Sequence, residues 1–181
     1  MPQSATWERK ILNTIYPKKL SLPLDAEHIK QLRANEIVLL SGTLYTARDQ
    51  AHKRMAAAIN EGKELPFPLD GAAIYYCGPT PAVDGQIIGS CGPTTSARMD
   101  AYTPLLLDNG LKVTIGKGVR SEAVTQAIKE HGAVYFSAIG GAAALYQSTV
   151  SSSELIAYPD LGCEAVYKLT VEDFPAIVTI V

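Results

Sequence analysis

The sequence predicts an α/β domain in which helices cover a parallel sheet and the chain ends build a second, antiparallel sheet. Three observations carry this reading. The chain has 181 residues, 47% hydrophobic and 19% charged, with a net charge of −2. Those figures suit one folded domain over residues 1–181 and exclude disordered, collagen-like and disulfide-held classes. From Glu36 to Ile139 short apolar runs alternate with helix-forming segments, as parallel strands joined by crossover helices require. Outside that middle the chain is richer in strand than in helix.

The elements follow in order. Asp25 before Ala-Glu-His-Ile-Lys-Gln-Leu-Arg reads as the N-cap of a short helix. Glu36 to Leu40 reads as a strand, and Arg48 to Asn60 as a helix stopped at Glu61-Gly62. Leu65-Pro66-Phe67-Pro68-Leu69 is an extended connector held by its prolines. Ala72 to Cys77 and Gln86 to Ser90, apolar and bounded by Gly and Pro, read as strands. Ser96 to Asn109 is predicted helical with Gly110 as its stop, and Lys112 to Ile115 a strand. Ser121 caps a helix through His131 that Gly132 ends. Val134 to Ile139 is a buried strand, Gly141 to Gln147 a short helix, and Glu164 to Val171 and Ala176 to Val181 two late strands.

Several function classes drop out at this level. The slight negative charge lacks the basic excess of a nucleic-acid binder. Gly132 to Ser153 carries no charge over 22 residues, but Gly140-Gly141, Gln147 and five serines mark it as strand, turn and helix, not a membrane span. Glu8, Arg9 and Lys10 interrupt the N-terminal apolar residues, so no signal peptide is expected. Cys77, Cys91 and Cys163 stand 14 and 72 residues apart without a C-x-x-C. They read as small reduced thiols of a cytoplasmic protein and not as ligands of a zinc ion or an iron–sulfur cluster.

Chemistry is suggested at four places. Arg98 is the only Lys or Arg between Glu64 and Leu111. It follows Cys91-Gly92-Pro93-Thr94-Thr95-Ser96, a Gly-Pro turn opening a predicted helix. The three hydroxyls either cap that helix or, with its free N–H groups and Arg98, hold an anion. Three hydroxyls exceed what capping needs. Their plain alternative is a capped helix with an Arg98–Asp100 surface contact. Thr46 offers a cap for the next candidate, where Arg48 and His52 lie at i and i+4. A solvated basic face explains that pair more simply than an acid-binding site. Gly116-Lys117-Gly118 follows a strand but is neither a P-loop nor a dinucleotide fingerprint, so a turn with a solvated lysine is the simpler account. Gly140-Gly141-Ala142-Ala143-Ala144-Leu145 is a strand-to-helix turn whose small residues favour close packing. Together Arg48, Arg98 and Lys117 supply about the cations a dicarboxylate needs, while no carboxylate is marked out as a general acid or base.

At these motifs the sequence resembles the β subunit of class I, iron–sulfur-dependent fumarate hydratase, with the L(+)-tartrate dehydratase β subunit a close relative. The marks are Ser41-Gly42-Thr43, Thr46-Ala47-Arg48-Asp49, Ala51-His52-Lys53-Arg54, Tyr76-Cys77-Gly78-Pro79, Gly92 through Asp100, Gly116-Lys117-Gly118, Gly140 through Leu145 and Asp173-Phe174-Pro175, all in order between about Ile37 and Ile180. The resemblance implies a swivelling β/β/α three-layer domain with a central parallel sheet and a second antiparallel one. It implies reversible hydration of fumarate to (S)-malate. The 4Fe–4S cluster is then bound by a partner α subunit and not by this chain, in an α2β2 heterotetramer. By motif, Arg48, Arg98 and Lys117 hold substrate carboxylates, Thr94 and Thr95 act at the reacting centre with Thr94 in proton transfer, and His52 stands behind them. Met99-Asp100 leans toward fumarase, because tartrate dehydratases often carry Glu at the second position. Two alternatives stay open: tartrate dehydration to oxaloacetate, and a non-catalytic domain that binds carboxylates or regulates a partner.

Overall fold

The structure, a computed structural model, describes residues 17–181; the residues read against a signal peptide lie outside that range. Seven strands form one mixed sheet: β1 (Lys18–Ser21), β2 (Ile37–Thr46), β3 (Ala73–Tyr75), β4 (Val113–Gly116), β5 (Val134–Ser137), β6 (Val150–Ala157) and β7 (Val166–Ile180). The order is β1-β2-β3-β4-β5-β7-β6, and β2 also pairs with β7. Neighbours from β1 to β5 are parallel, whereas β7 runs antiparallel to β2, β5 and β6. Parallel and antiparallel parts are therefore not separate sheets. They share β2 and β7, and the sheet closes on itself through β2, β3, β4, β5 and β7.

Five α-helices are described: α1 (Ala26–Lys30), α2 (Asp49–Asn60), α3 (Thr103–Asp108), α4 (Glu122–Glu130) and α5 (Ala143–Ser148). Period-2 alternation in the parallel strands divides two cores. Ala73, Tyr75, Cys77, Val113, Ile115, Val134 and Phe136 face the interior between the two parts of the sheet. Ala72, Ile74, Tyr76, Ala133 and Tyr135 face the helices, where Met55, Leu106, Val124 and Ile128 cover them. A fully buried aliphatic or aromatic side chain contributes about 1.5–3 kcal/mol, so strands of three or four residues suffice here because both faces are buried.

Local signals place some boundaries well. Asp25 accepts the His28 N–H at 2.8 Å and starts α1, and Ser121 Oγ accepts the Val124 N–H and starts α4. Other expectations need correction. Ser96 to Asn109 is not one helix. A 3-10 turn over Ser96–Met99 precedes α3, because Pro104 has no N–H for an Asp100 carbonyl and its ring would meet that turn. Gln86 to Ser90 is not a strand, since both edges of β3 are already paired with β2 and β4. The two late strands are one, β7, which continues through Asp173-Phe174-Pro175. A bulge in β7, where Glu172 and Asp173 stand opposite Ser41 alone, absorbs that irregularity, and Ser41 Oγ accepts the Asp173 N–H at 3.0 Å. The edge strands β1 and β6 carried no clear apolar pattern, β6 because Ser151, Ser152 and Ser153 interrupt it. The uncharged stretch from residue 132 resolves into β5, a turn, α5 and the start of β6, and no described helix is long and apolar enough to cross a membrane.

Candidate functional site

The carboxyl ends of the parallel strands carry the candidate residues, where α/β sheets usually bind ligands. Arg48 follows β2, Gly78 follows β3, Lys117 follows β4 and Gly140 follows β5. The segment Pro93–Ser96 is wedged into this end as a short extra rung. Thr94 N–H donates to Tyr76 O at 2.7 Å, Lys117 N–H donates to Thr94 O at 3.2 Å, and Ser96 N–H donates to Lys117 O at 2.9 Å. Thr94, Thr95 and Lys117 are thus brought together by backbone pairing that links residues 23 positions apart (117 − 94). No periodicity reveals such a contact.

Two glycines permit it. A Cβ on Gly116 would overlap Ser96 Oγ and lie 2.7 Å from Tyr76 Cδ2, so the wedge fits only beside hydrogen. Gly118 adopts φ +83°, a left-handed turn that favours glycine. The Lys117 stem runs past Gly140, whose Cβ position lies 3.6 Å from Lys117 Cδ. Gly92 comes within reach of Ala143 at the start of α5, at 3.1 Å from Cβ position to Cβ. The small residues of the Gly140–Leu145 turn therefore serve packing, as expected, and that packing seats the threonine segment.

Arg48 and Arg98 meet through Asp49. Arg98 Nε donates to Asp49 Oδ1 at 2.8 Å, on a side chain 49% exposed. Arg48 is mostly enclosed, 21% exposed, with Nη2 3.4 Å from Glu164 Oε1. Its Nε stands 3.9 Å from Asp49 Oδ2, too far for a hydrogen bond, and both atoms are buried without a partner among the described residues. A Cβ on Gly78 would sit 2.9 Å from Arg48 Cδ and Nη1, so the missing side chain makes the berth for this guanidinium.

Thr46 does not cap α2. It closes β2, where its hydroxyl accepts the Tyr167 N–H at 3.0 Å and faces Ala165 O. The cap comes instead from Glu164, which accepts the Gln50 N–H at 2.9 Å from 114 positions away. The Thr94–Ser96 hydroxyls do not cap either: Thr95 precedes the 3-10 turn without a side-chain cap bond, and Ser96 Oγ pairs with Tyr135 OH at 2.9 Å. Arg98 does not meet Asp100. That carboxylate belongs to Arg120, at 2.6 Å from Nε.

His52 is not on a solvated basic face. It is fully buried, and its Nδ1–H donates to Arg48 O at 2.9 Å. Tyr76 meets it edge-on at 5.3 Å between centroids and Tyr102 lies at 6.2 Å. Burial lowers its pKa to about 4, with the nearby Arg120 charge acting in the same direction. It is a neutral prop under the Arg48 peptide, closed to direct contact with a ligand.

Asp49, Glu164 and Arg120 escaped sequence reasoning. Asp49 adjoins Arg48 and was visible as a neighbour, but its bond to Arg98 spans 49 positions. Nothing local marks Glu164 or Arg120. The resulting cluster sets Arg48 and Arg98 against the carboxylates Asp49 and Glu164. Cys77 and Cys91 are buried in the inner core while Cys163 is exposed. A hydrogen bond with Cys91, then burial, pushes the Cys77 thiol well up.

A family profile described as Fumarase C-terminus matches residues 2–181. The chain is 41% identical to fumarate hydratase 2 of Leishmania major over 89% of its own length and 29% of that protein. It is 45% identical to the anaerobic class I fumarate hydratase of Escherichia coli K12 over 78% of its length and 26% of that protein. It is 36% identical to a putative L(+)-tartrate dehydratase subunit beta of Methanocaldococcus jannaschii over 86% of its length and 82% of that protein. The chain therefore spans under a third of the fumarate hydratases and most of the tartrate dehydratase subunit.

Proposed function

This chain belongs to the Fumarase C-terminus family, and from that premise we propose that it is the β subunit of a hydro-lyase that hydrates fumarate to (S)-malate at a site shared with an α subunit. The observation that carries the reading is the gathering of Arg48, Arg98, Lys117, Thr94 and Thr95 at one sheet end. Arg98, half exposed and bonded to Asp49 through Nε, offers its terminal nitrogens as a planar fork suited to a carboxylate. Lys117 supplies a second positive head on a stem steered past Gly140. Arg48 holds an unpartnered buried Nε beside Asp49. A planar C4 dicarboxylate bound at both ends presents its central carbons between them, next to the threonine segment.

The hydroxyls of Thr94 and Thr95 are placed to orient water or the substrate hydroxyl, with Thr94 passing a proton in the hydration step. A free threonine is a poor base, so its activation requires a neighbour. Buried His52 does not supply it, and we assign that group to the α subunit. The same partner carries the 4Fe–4S cluster, which when bound provides a Lewis acid for the substrate. The fold of this reading is the family's swivelling domain, the assembly is α2β2 and the setting is the cytoplasm.

A second reading, dehydration of L-tartrate to oxaloacetate, draws support from the tartrate dehydratase subunit because that relative matches this chain nearly end to end. The test is an anaerobic assay of the chain with and without its α subunit, on fumarate and on L-tartrate. The expected result is turnover only in the complex, higher kcat/KM on fumarate, and a loss of about 10²-fold or more for Thr94→Ala and Arg98→Ala, in the range of a lost acid–base or orienting group. Full activity of the lone chain would overturn the shared site. Unchanged turnover in both variants would leave this chain a regulatory carboxylate-binding domain.

A further inference from the structure

We propose that Arg120, paired with Asp100, is a positioning residue that sets the distance between the threonine segment and Lys117; this rests on the hydro-lyase reading of the site.

The Arg120 side chain is wholly enclosed, at 0% exposure. Each arm of its guanidinium reaches a different element. Nε donates to Asp100 Oδ1 at 2.6 Å, just past the 3-10 turn that carries Arg98. Nη2 donates to Thr103 Oγ1 at 2.6 Å, at the start of α3. Nη1 reaches Tyr76 OH at 3.4 Å, beyond the end of β3. The Tyr76 and Tyr135 rings flank it, with centroids 5.3 and 5.1 Å from Cζ. The second Asp100 oxygen accepts the Ser121 N–H at 2.7 Å, so one carboxylate grips two successive residues of the Lys117 loop. Tyr135 OH adds a third tie, donating to Gly118 O at 2.7 Å and bonding Ser96 Oγ.

Residues 94–103 and 116–121 are thus joined twice: by the backbone rung at the site and by a buried ionic knot behind it. Stability alone does not explain the knot. The cost of burying two charges roughly cancels their attraction, and apolar replacements often match or exceed such pairs. What an apolar contact lacks is direction. A planar fork with three fixed partners admits one register of the two loops, whereas packed methyl groups tolerate sliding. Lysine cannot replace it, because one ammonium does not reach three partners along the guanidinium plane. The site needs that register, since Lys117 stands on one loop and Thr94, Thr95 and Arg98 on the other.

The test uses the assembled α–β enzyme with four variants: Arg120→Lys, Arg120→Met, the double Arg120→Met/Asp100→Leu, and Val124→Ala as a stability control in the α4 core. Thermal midpoint, kcat, KM and amide exchange at Lys117 and Ser96 are measured on each. The expected result is that the double variant regains most of the midpoint lost by Arg120→Met, while its kcat/KM stays about 10²-fold down, the scale of a misplacement near 1 Å. Exchange at Lys117 and Ser96 rises at least about tenfold, one decade being about 1.4 kcal/mol of local opening, while Val113 and Val134 amides are unmoved. Val124→Ala lowers the midpoint without the kinetic loss. A double variant that recovers activity together with stability, or that leaves exchange at the two amides unchanged, overturns the proposal. A wild-type complex inactive on both fumarate and L-tartrate overturns the hydro-lyase reading instead, and the exchange measurement still decides whether Arg120 fixes the loops.

Discussion

Burial of His52 makes the stability of this chain pH-dependent by an amount its environment sets. The groups that face the ring are Tyr76, Tyr102, the Arg48 carbonyl and the charges of Arg120 and Asp49. Nδ1 carries the proton donated to Arg48 O, and Nε2 is buried without a partner among the described residues. Above pH 6.5 the ring is neutral in both folded and unfolded chains. Between 6.5 and about 4 only the unfolded chain takes up the proton, so stability falls as the pH falls. Below about 4 the folded chain protonates as well and the slope ends. The interval of 2.5 units (6.5 − 4), at about 1.4 kcal/mol per unit, corresponds to a full loss of about 3.5 kcal/mol, of which about 3 kcal/mol is reached by pH 4. Urea unfolding of the wild type and of His52→Asn between about pH 7.5 and about 4 measures it. Asparagine, whose Nδ2 stands where Nδ1 does, keeps an N–H for Arg48 O and takes up no proton, and titration of the other groups is common to both proteins. The stability difference between them should shift by about 3 kcal/mol across that window, with the wild type losing more. Parallel pH profiles would refute the buried neutral ring.

Three further outcomes follow from contacts at the site. Gly116→Ala forces a methyl group onto Ser96 Oγ and Tyr76, so a midpoint drop equivalent to about 1–3 kcal/mol should accompany weaker dicarboxylate binding by calorimetry; normal affinity would mean the wedge does not shape the site. Gly78→Ala crowds Arg48 and Cys163 O at 2.9 Å, and malate affinity of the complex should fall about tenfold, or about 1.4 kcal/mol, with no change expected if Arg48 does not touch ligand. Asp49→Asn removes a negative charge from between two arginines while keeping an oxygen for Arg98 Nε. Dicarboxylate Kd should fall several-fold at low salt, and the gain should shrink as ionic strength rises; a salt-independent Kd would contradict it.

The elements that sequence reasoning found are those whose signals are local. Asp25 and Ser121 cap their helices within three residues, and β3, β4 and β5 announce themselves as apolar runs between glycines. The misreadings at the site share one cause: the deciding partner was distant. Thr46 looked like a cap until β7 engaged its hydroxyl. His52 looked solvated until Tyr76 and Tyr102 enclosed it. Arg98 and Asp100, two residues apart, turned to partners 49 and 20 positions away.

By itself the sequence determined the α/β class and the family, and it nominated candidate residues for a site, because hydrophobic period, turn glycines and ordered motifs are properties of neighbouring residues. Only the tertiary structure decided which of those residues meet. The closure of the sheet through β2 and β7 brings Glu164 to Arg48, and the wedge between Tyr76 and Lys117 sets threonines beside a lysine. Such contacts depend on chain segments that burial of a common core forces together, and no local pattern encodes that placement.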